Sequence, residues 1–189
     1  VVGDPADTFS AKASKSIFRG AIRTTFVAML KAQCKGAICA SYVTEKALQK
    51  RYPAVKALYS THYSSIKLND VDFKSRSNYL ISNPLKLVAI GNLSQPYKGC
   101  DYLLQCLKNL RQQGFAVTLS WIGGGELQDE MQCLAGHLGI ENDVEFLGNI
   151  ARKEDIYHIL DKSDLFVLSS RQEGLPRVVI EAMARGLVC

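Results

Sequence analysis

The rhythm of apolar and polar positions changes partway along the chain. From residue 85 onward, short apolar runs at 85–90, 117–122, 144–147 and 165–168 alternate with amphipathic stretches. The runs are too short for helices and read as strands buried on both faces. Leu103, Leu104, Leu107 and Leu110 share one face of a helix expected from about 99 to 113, which stops at Gly114. Leu127, Met131, Leu134 and Leu138 mark a second helix. Ile156, Ile159 and Leu160 mark a third at 153–161, and residues 178–185 a fourth. Strands alternating with helices predict a parallel sheet covered on both faces. Right-handed crossovers close it into a doubly wound, Rossmann-like α/β domain.

The first 83 residues carry weaker signals. Phe18, Ile22, Phe26 and Leu30 recur every four residues and, widened by Ile17 and Ala21, predict a helix over 15–35. Lys15, Arg19 and Arg23 form a second stripe on it. A short strand is expected at 37–42, then a helix with Thr44 as N-cap that ends before Pro53. Residues 61–84 are polar and without period, and they close on the breaker cluster Ser82-Asn83-Pro84. The expected domain boundary lies there, dividing 1–83 from 84–189.

Composition and charge refine this picture. Among 189 residues, 47% are hydrophobic and 22% charged, which excludes a disordered or collagen-like chain. No apolar stretch approaches the ~20 residues that span a bilayer. The opening Val1-Val2-Gly3-Asp4-Pro5 lacks the basic start and apolar run of a secretory signal. With no initiator Met and an apolar triplet just before Cys189, the chain is expected to be an internal piece of a longer protein. The net charge of +5 is uneven: residues 1–83 carry 13 Lys/Arg against 5 Asp/Glu, and residues 84–189 carry 10 against 13. The basic part suits anionic lipid, nucleic acid or a phosphorylated substrate, and equally a plain soluble surface. Six cysteines, at 34, 39, 100, 106, 133 and 189, show no C-x-x-C spacing, so a reducing, cytosolic compartment fits best. His62, His137 and His158 are scattered and offer no metal constellation.

Ligands of a doubly wound sheet bind outside the carboxyl ends of its strands. The loops there, 91–99, 123–125, 148–150 and 169–176, hold most glycines of this half and point to an anionic, nucleotide-bearing ligand. The last loop is the most informative. Pro176 suits the first turn of a helix, whose N-terminus offers free N–H groups and a positive dipole end to an anion. Glu173 lies just outside that end and Glu181 inside it, so both can accept hydrogen bonds from ligand hydroxyls in one cleft. Equally, Glu173 complements the dipole and Glu181 is a solvated helix residue. Lys98, ahead of Gly99 at the start of a helix, can reach a phosphate or serve as a surface lysine. Asp101 is expected to complement the dipole of the same helix. Gly123-Gly124-Gly125 follows a strand but lacks the third glycine of a dinucleotide fingerprint, because position 128 is Gln. No P-loop, nucleophile elbow or zinc-protease helix motif is present.

Taken in order, four segments resemble the donor-binding domain of glycosyltransferase family 4, the retaining enzymes of GT-B fold. They are Gly91-Asn92-Leu93 with Lys98-Gly99, then Ile122-Gly123-Gly124-Gly125, then 144–150. The fourth runs from Asp164 through Ser169-Ser170 into Glu173-Gly174-Leu175-Pro176 and Glu181-Ala182-Met183-Ala184-Arg185-Gly186. The set includes the family's E-x7-E as Glu173 and Glu181. More loosely, 1–83 is similar to the end of the acceptor-side domain and linker of bacterial polysaccharide-assembly members. The resemblance implies a GT-B fold: a truncated C-terminal donor domain at 84–189, after the tail of a second Rossmann-like domain.

It also implies a retaining transfer of a sugar from a nucleotide-diphosphate sugar to a saccharide or lipid-linked acceptor. No metal and no cofactor is implied. Lys98 and the backbone of Gly174 and Leu175, ahead of Pro176, would hold the diphosphate. Glu173 would bind the sugar hydroxyls and Glu181 the ribose. Leu147, Gly148, Asn149 and Ile150 would line the base pocket, with Gly123 and Gly125 near the donor. Lys98 and Glu173 would be the catalytic pair, with no protein nucleophile. The family usually has arginine where this chain has Asn92, so the second phosphate contact becomes at most a neutral amide contact. Other readings are a nucleotide-sugar epimerase, an oxidoreductase (opposed by the incomplete fingerprint) and a non-catalytic nucleotide-sugar-binding relative. The basic amphipathic helix adds a peripheral contact with the cytoplasmic face of a membrane as a candidate. Nucleic acid is not expected, because the basic residues lack interleaved aromatics.

Overall fold

The computed structural model describes residues 1, 3–9, 17–63, 66–76, 81–171, 173 and 176–189. They form two compact units. Val1–Lys67 and Glu173 belong to the first; Leu68–Arg171 and Pro176–Cys189 make the second.

In the first unit, helices α1 (Pro5–Thr8) and α2 (Arg19–Gly36) precede strand β1 (Cys39–Tyr42), helix α3 (Ala47–Arg51) and strand β2 (Tyr59–His62). β1 and β2 pair in parallel, from Cys39 opposite Tyr59 to Tyr42 opposite His62, and α3 is their crossover. Cys34, Tyr42, Leu48 and Tyr52 form the core. The buried Tyr42 hydroxyl is satisfied by the Tyr52 carbonyl at 2.7 Å. Thr44 accepts from the Leu48 N–H at 2.9 Å, close to the capping role expected of it.

Two features of this unit depart from expectation. The stripe Phe18–Ile22–Phe26–Leu30 is not the buried face of α2: Phe18 is 67% exposed and Phe26 49%. A row taken every fourth residue slips by about 40° per step, because a helix turns about 100° per residue. Leu30 therefore reaches the core, beside Val27 and Cys34, while the start of the row winds away. Lys15 of the expected basic stripe lies outside the described residues. The second departure is β2, which falls partly in a stretch read as patternless. Tyr59, Ser60 and His62 are exposed, so no apolar alternation marks the strand.

The second unit is a four-stranded parallel sheet in the order β5-β4-β3-β6. Its strands are β3 (Leu85–Ile90), β4 (Val117–Ile122), β5 (Val144–Gly148) and β6 (Leu165–Phe166). Helices α4 (Cys100–Gln112), α5 (Gln128–Leu138), α6 (Lys153–Lys162) and α7 (Arg177–Ala184) cover it. β3 is central, and its register runs from Leu85 opposite Val117 to Ile90 opposite Ile122 on one side. On the other side, Leu87 and Val88 meet Leu165 and Phe166.

Period-two alternation sends β3 side chains to two cores. Leu87 and Ala89 join Leu103, Leu104, Leu107, Trp121, Met131 and Ala135 under α4 and α5. Val88 joins Ile122, Tyr157, Leu160, Phe166 and Ala182 under α6 and α7. Leu104, Leu107, Leu160 and Val88 are wholly buried, each contributing roughly 1.5–3 kcal/mol of transfer free energy. Beyond α7 the chain returns toward the sheet, where Val188 bridges to Leu165. The α/β, doubly wound architecture matches the expected fold.

The second unit begins at Leu68, upstream of the Ser82-Asn83-Pro84 signal. The reason is a polar anchor. Arg76 donates to the carbonyls of Leu160 at 2.5 Å, Ser163 at 2.7 Å and Arg185 at 3.2 Å, all at the C-terminal ends of α6 and α7. Asp72, 3% exposed, accepts from the Asn69 N–H at 2.8 Å and pairs with Lys153 at 2.9 Å. Arg185 and Lys74 both pair with Asp161 at 2.7 Å. Residues 68–76 thus pack as part of the second unit although they carry no apolar period.

Candidate functional site

The strand order reverses direction between β3 and β6, so the crevice for a ligand opens between the loops that follow these two strands. Both loops carry predicted site residues, and the structure laces them together. Pro96–Lys98 is a single 3-10 turn that ends on Gly99, the first residue of the approach to α4. Gly99 is left-handed, with φ +68°, and a Cβ there would stand 2.1 Å from the Ser169 carbonyl oxygen. Glycine is required on both counts. The Ser169 hydroxyl donates to the Lys98 carbonyl at 3.0 Å. The Arg171 N–H donates to the Tyr97 carbonyl at 2.7 Å. The Arg171 guanidinium donates to the Pro96 carbonyl, pairs with Asp101 at 2.5 Å and lies 4.3 Å over the Tyr102 ring.

Lys98 is held by packing as well. Its stem lies against Gly91, where a Cβ would come within 3.2 Å of the lysine Cβ and Cγ. Its ammonium sits 5.0 Å from the Tyr97 ring centroid. Beneath it, the indole N–H of Trp121, 1% exposed, donates to the Gly91 carbonyl at 3.0 Å. A Cβ on Gly123, at φ +116°, would stand 2.3 Å from the same carbonyl. The ends of β3 and β4 therefore meet backbone to backbone, which only glycine permits.

The neighbouring loops complete this floor. The Gly123 N–H donates to the Gly148 carbonyl at 2.7 Å, and the Leu93 N–H to the Gly124 carbonyl at 3.0 Å. Asn149 accepts from the Gly124 N–H at 2.8 Å, so its side chain ties the 123–125 turn to the end of β5. Gly125 packs on the Leu93–Ser94 peptide, 2.3 Å from where a Cβ would stand. Leu147 and Ile150 pack against the core under α6 and α7. Asn92 is exposed, and its Oδ1 accepts from the Ser94 N–H at 2.6 Å. Its carbonyl is therefore engaged in a local Asx turn, and the amide nitrogen is the end left to face a ligand.

Pro176 stands at the N-cap of α7 and makes no side-chain cap hydrogen bond there, and the helix presents the positive end of its dipole on that side. Glu181 is partly buried in its second turn. Glu173 is exposed and falls with the first unit, so the expected sharing of one cleft with Glu181 rests on the sequence. Gly174 and Leu175 lie outside the described residues.

Two groups near Lys98 have defined charge states. Burial, and then Asp101, push the Cys100 thiol up to about 12, so it stays protonated. Burial opposes the charge on Arg171, but the hydrogen bond and charge of Asp101 outweigh it and raise the guanidinium's pKa. Among the described residues, no three His, Cys, Asp or Glu side chains converge as a metal-binding group.

Sequence reasoning missed the partnership of Arg171 with Asp101, the Ser169 contact and the Trp121 support. Their partners are about 30 to 70 positions away in the chain, so no local spacing announces them. Asp101, expected only to complement a dipole, is committed to Arg171.

Comparison with known proteins agrees with this geometry. Residues 70–189 match the family model described as Glycosyl transferases group 1. The chain is 28% identical over 172 residues to Protein CapJ of Staphylococcus aureus, covering 91% of this chain and 43% of that protein. It is 34% identical over 92 residues to the Vi polysaccharide biosynthesis protein VipC/TviE of Salmonella typhi, covering 49% and 15%. A crystal structure of an S. aureus TarM mutant in complex with fondaparinux, alpha-GlcNAc-glycerol and UDP superposes with a TM-score of 0.70. That likeness is at 15% identity and covers 98% of this chain and 35% of TarM. The chain thus spans less than half the length of each of these proteins. With the family model matched across the whole doubly wound sheet, the chain belongs to the group 1 glycosyl transferases, and its fold is of the GT-B type.

Proposed function

We propose that the protein containing this chain transfers a sugar from a nucleotide-diphosphate sugar to a saccharide or lipid-linked acceptor in polysaccharide or glycolipid synthesis. The observation that carries the reading is Lys98, set by packing and backbone bonds at the reversal between β3 and β6, the strand whose following loop leads into α7. A leaving nucleoside diphosphate gains negative charge as the sugar–oxygen bond breaks. A fixed ammonium and a helix N-terminus stabilise that charge without reorganising. In this reading they stand in for a cation, so the transfer needs no metal. The anomeric configuration is retained, with the leaving phosphate taking the acceptor proton on the same face, and no protein nucleophile acts. Glu181 accepts from the ribose and Glu173 from the sugar. Leu147, Gly148, Asn149 and Ile150 border the base, and the amide of Asn92 donates a neutral contact to phosphate. Family membership, a relative named for polysaccharide biosynthesis and a fold neighbour in complex with UDP support this reading.

We place the reaction in the cytoplasm, because six cysteines without C-x-x-C spacing suit a reducing compartment. Among the described residues, no helix is long and apolar enough to cross a membrane. The exposed Phe18, Phe26 and Met29 of the α2 region, with Arg19 and Arg23, support a peripheral contact with anionic lipid. Cosedimentation of the full-length protein with vesicles that ignores anionic lipid content removes that contact.

The catalytic assignment is tested by Lys98→Ala in the full-length protein. A charge-assisted hydrogen bond contributes about 1.5–3 kcal/mol, so kcat/KM for the donor falls by about 10–100-fold. An unchanged kcat/KM removes Lys98 as the phosphate ligand.

A further inference from the structure

The proposed function leaves Arg171 without a role, yet its backbone and side chain hold four neighbouring residues of the loop after β3 and the start of α4. It leaves the loop after β6 and grips both sides of the Lys98–Gly99 step. On one side are the Pro96 and Tyr97 carbonyls; on the other are the Asp101 carboxylate and the Tyr102 ring. We propose that Arg171 and Asp101 form a clamp that sets the Lys98 ammonium toward the diphosphate of a bound nucleotide, making Arg171 a positioning residue of the transfer reaction. This inference rests on the proposed nucleotide-sugar reading and assigns the pair a part in it.

Lys98 stands on one 3-10 turn of three residues, followed by a left-handed glycine with no side chain of its own to hold it. Such a turn is short and its own hydrogen bonds are poorly aligned, so the contacts of Lys98 with Gly91 and the Tyr97 ring depend on where the turn itself is held. Ties from the loop after β6 hold it: the Ser169 hydroxyl on the Lys98 carbonyl, and Arg171 on the residues before and after. A partly exposed ion pair adds little to stability, and Arg171 and Asp101 keep 20% and 37% of their side-chain exposure. What the pair supplies is orientation. Only a planar guanidinium donates to a carbonyl and a carboxylate at once while stacking on an aromatic face.

The test uses the full-length protein. UDP, GDP and ADP are titrated calorimetrically beside uridine, guanosine and adenosine, and the nucleotide that binds wild type is carried forward. Arg171→Ala and Asp101→Asn are expected to weaken the nucleoside diphosphate about tenfold, equivalent to about 1.4 kcal/mol, and to leave the matching nucleoside unchanged. Arg171→Lys, which keeps the pair with Asp101, recovers part of the loss. Equal weakening of diphosphate and nucleoside, or no weakening of either, overturns the clamp. Hydrogen exchange at residues 97–103 separates this outcome from failure of the functional reading. If wild type binds no nucleotide, that reading fails. Faster exchange confined to 97–103 in Arg171→Ala then still supports the clamp as a tether, and unchanged exchange rejects it.

Discussion

Replacing Gly99 with alanine tests whether the loops after β3 and β6 truly meet backbone to backbone. Gly99 and Gly139 have nearly the same conformation, φ 68°, ψ 29° and φ 68°, ψ 33°. Alanine in that left-handed region costs roughly 1–2 kcal/mol at either position. The surroundings differ. A Cβ at Gly139 meets nothing within 4 Å, whereas at Gly99 it falls 2.1 Å from the Ser169 carbonyl, where about 3.0 Å is the closest tolerated approach. Ser169 must retreat by about 1 Å, and forced repacking of that kind costs about 1–3 kcal/mol more. Gly139→Ala is therefore expected to destabilise the second unit by about 1–2 kcal/mol. Gly99→Ala is expected to cost roughly 2–5 kcal/mol in total. Native-state hydrogen exchange of the β3 and β4 amides in the full-length protein reads this opening free energy locally. Equal losses in the two variants would show that the Ser169 contact is absent.

Two further predictions concern the polar anchor. The Asn69 amide, then Lys153, hold the Asp72 carboxyl below its ordinary 3.8. Burial raises that of Asp161, but the bonds from Arg185 and Lys74 outweigh it and lower it. A depressed folded pKa stabilises above the unfolded value and is lost as pH falls through the folded one. Exchange protection of α6 and α7 should therefore hold from neutral pH to about 4 and drop below it; an equally steep drop in Asp161→Asn would exclude Asp161 as a source. Arg76→Met removes the guanidinium donor from the carbonyls of Leu160, Ser163 and Arg185, of which Leu160 keeps the Ser163 N–H at 3.2 Å. It is expected to destabilise the second unit by about 1–3 kcal/mol, visible as faster exchange over 68–76. No change there would mean that water replaces the guanidinium without loss.

The second unit was legible because its strands are mostly apolar runs set between amphipathic helices. β3 and β4 begin and end where the apolar runs do, since strands covered on both faces draw apolar residues to most of their positions. β6 is shorter than its run, although Val167 still donates to the Val88 carbonyl at 2.8 Å. The first unit was harder to read. Tyr59–His62 pairs with β1 but stays largely exposed, so its residues carry no burial pattern. In α2, the repeat of four misled because it outruns the helical turn. Residues 68–76 join the second unit through Arg76, Lys74 and Asp72, charged residues that look alike in sequence whether they anchor a linker or face water.

At the site, glycines and Lys98 could be read from their place after strands, which is a local property. Arg171 could not. Its partners Pro96, Asp101 and Tyr102 are distant in sequence and adjacent only because the sheet order sets β6 beside β3.

The central claim is that this site binds and spends a nucleotide-diphosphate sugar. Its most direct test is nucleotide release from a panel of UDP-, GDP- and ADP-sugars by the full-length protein, with wild type and Glu173→Ala side by side. The account predicts release from one donor by wild type and its loss in the variant. No release from any donor, with no binding of any by calorimetry, would contradict it and leave a GT-B fold that carries out some other task.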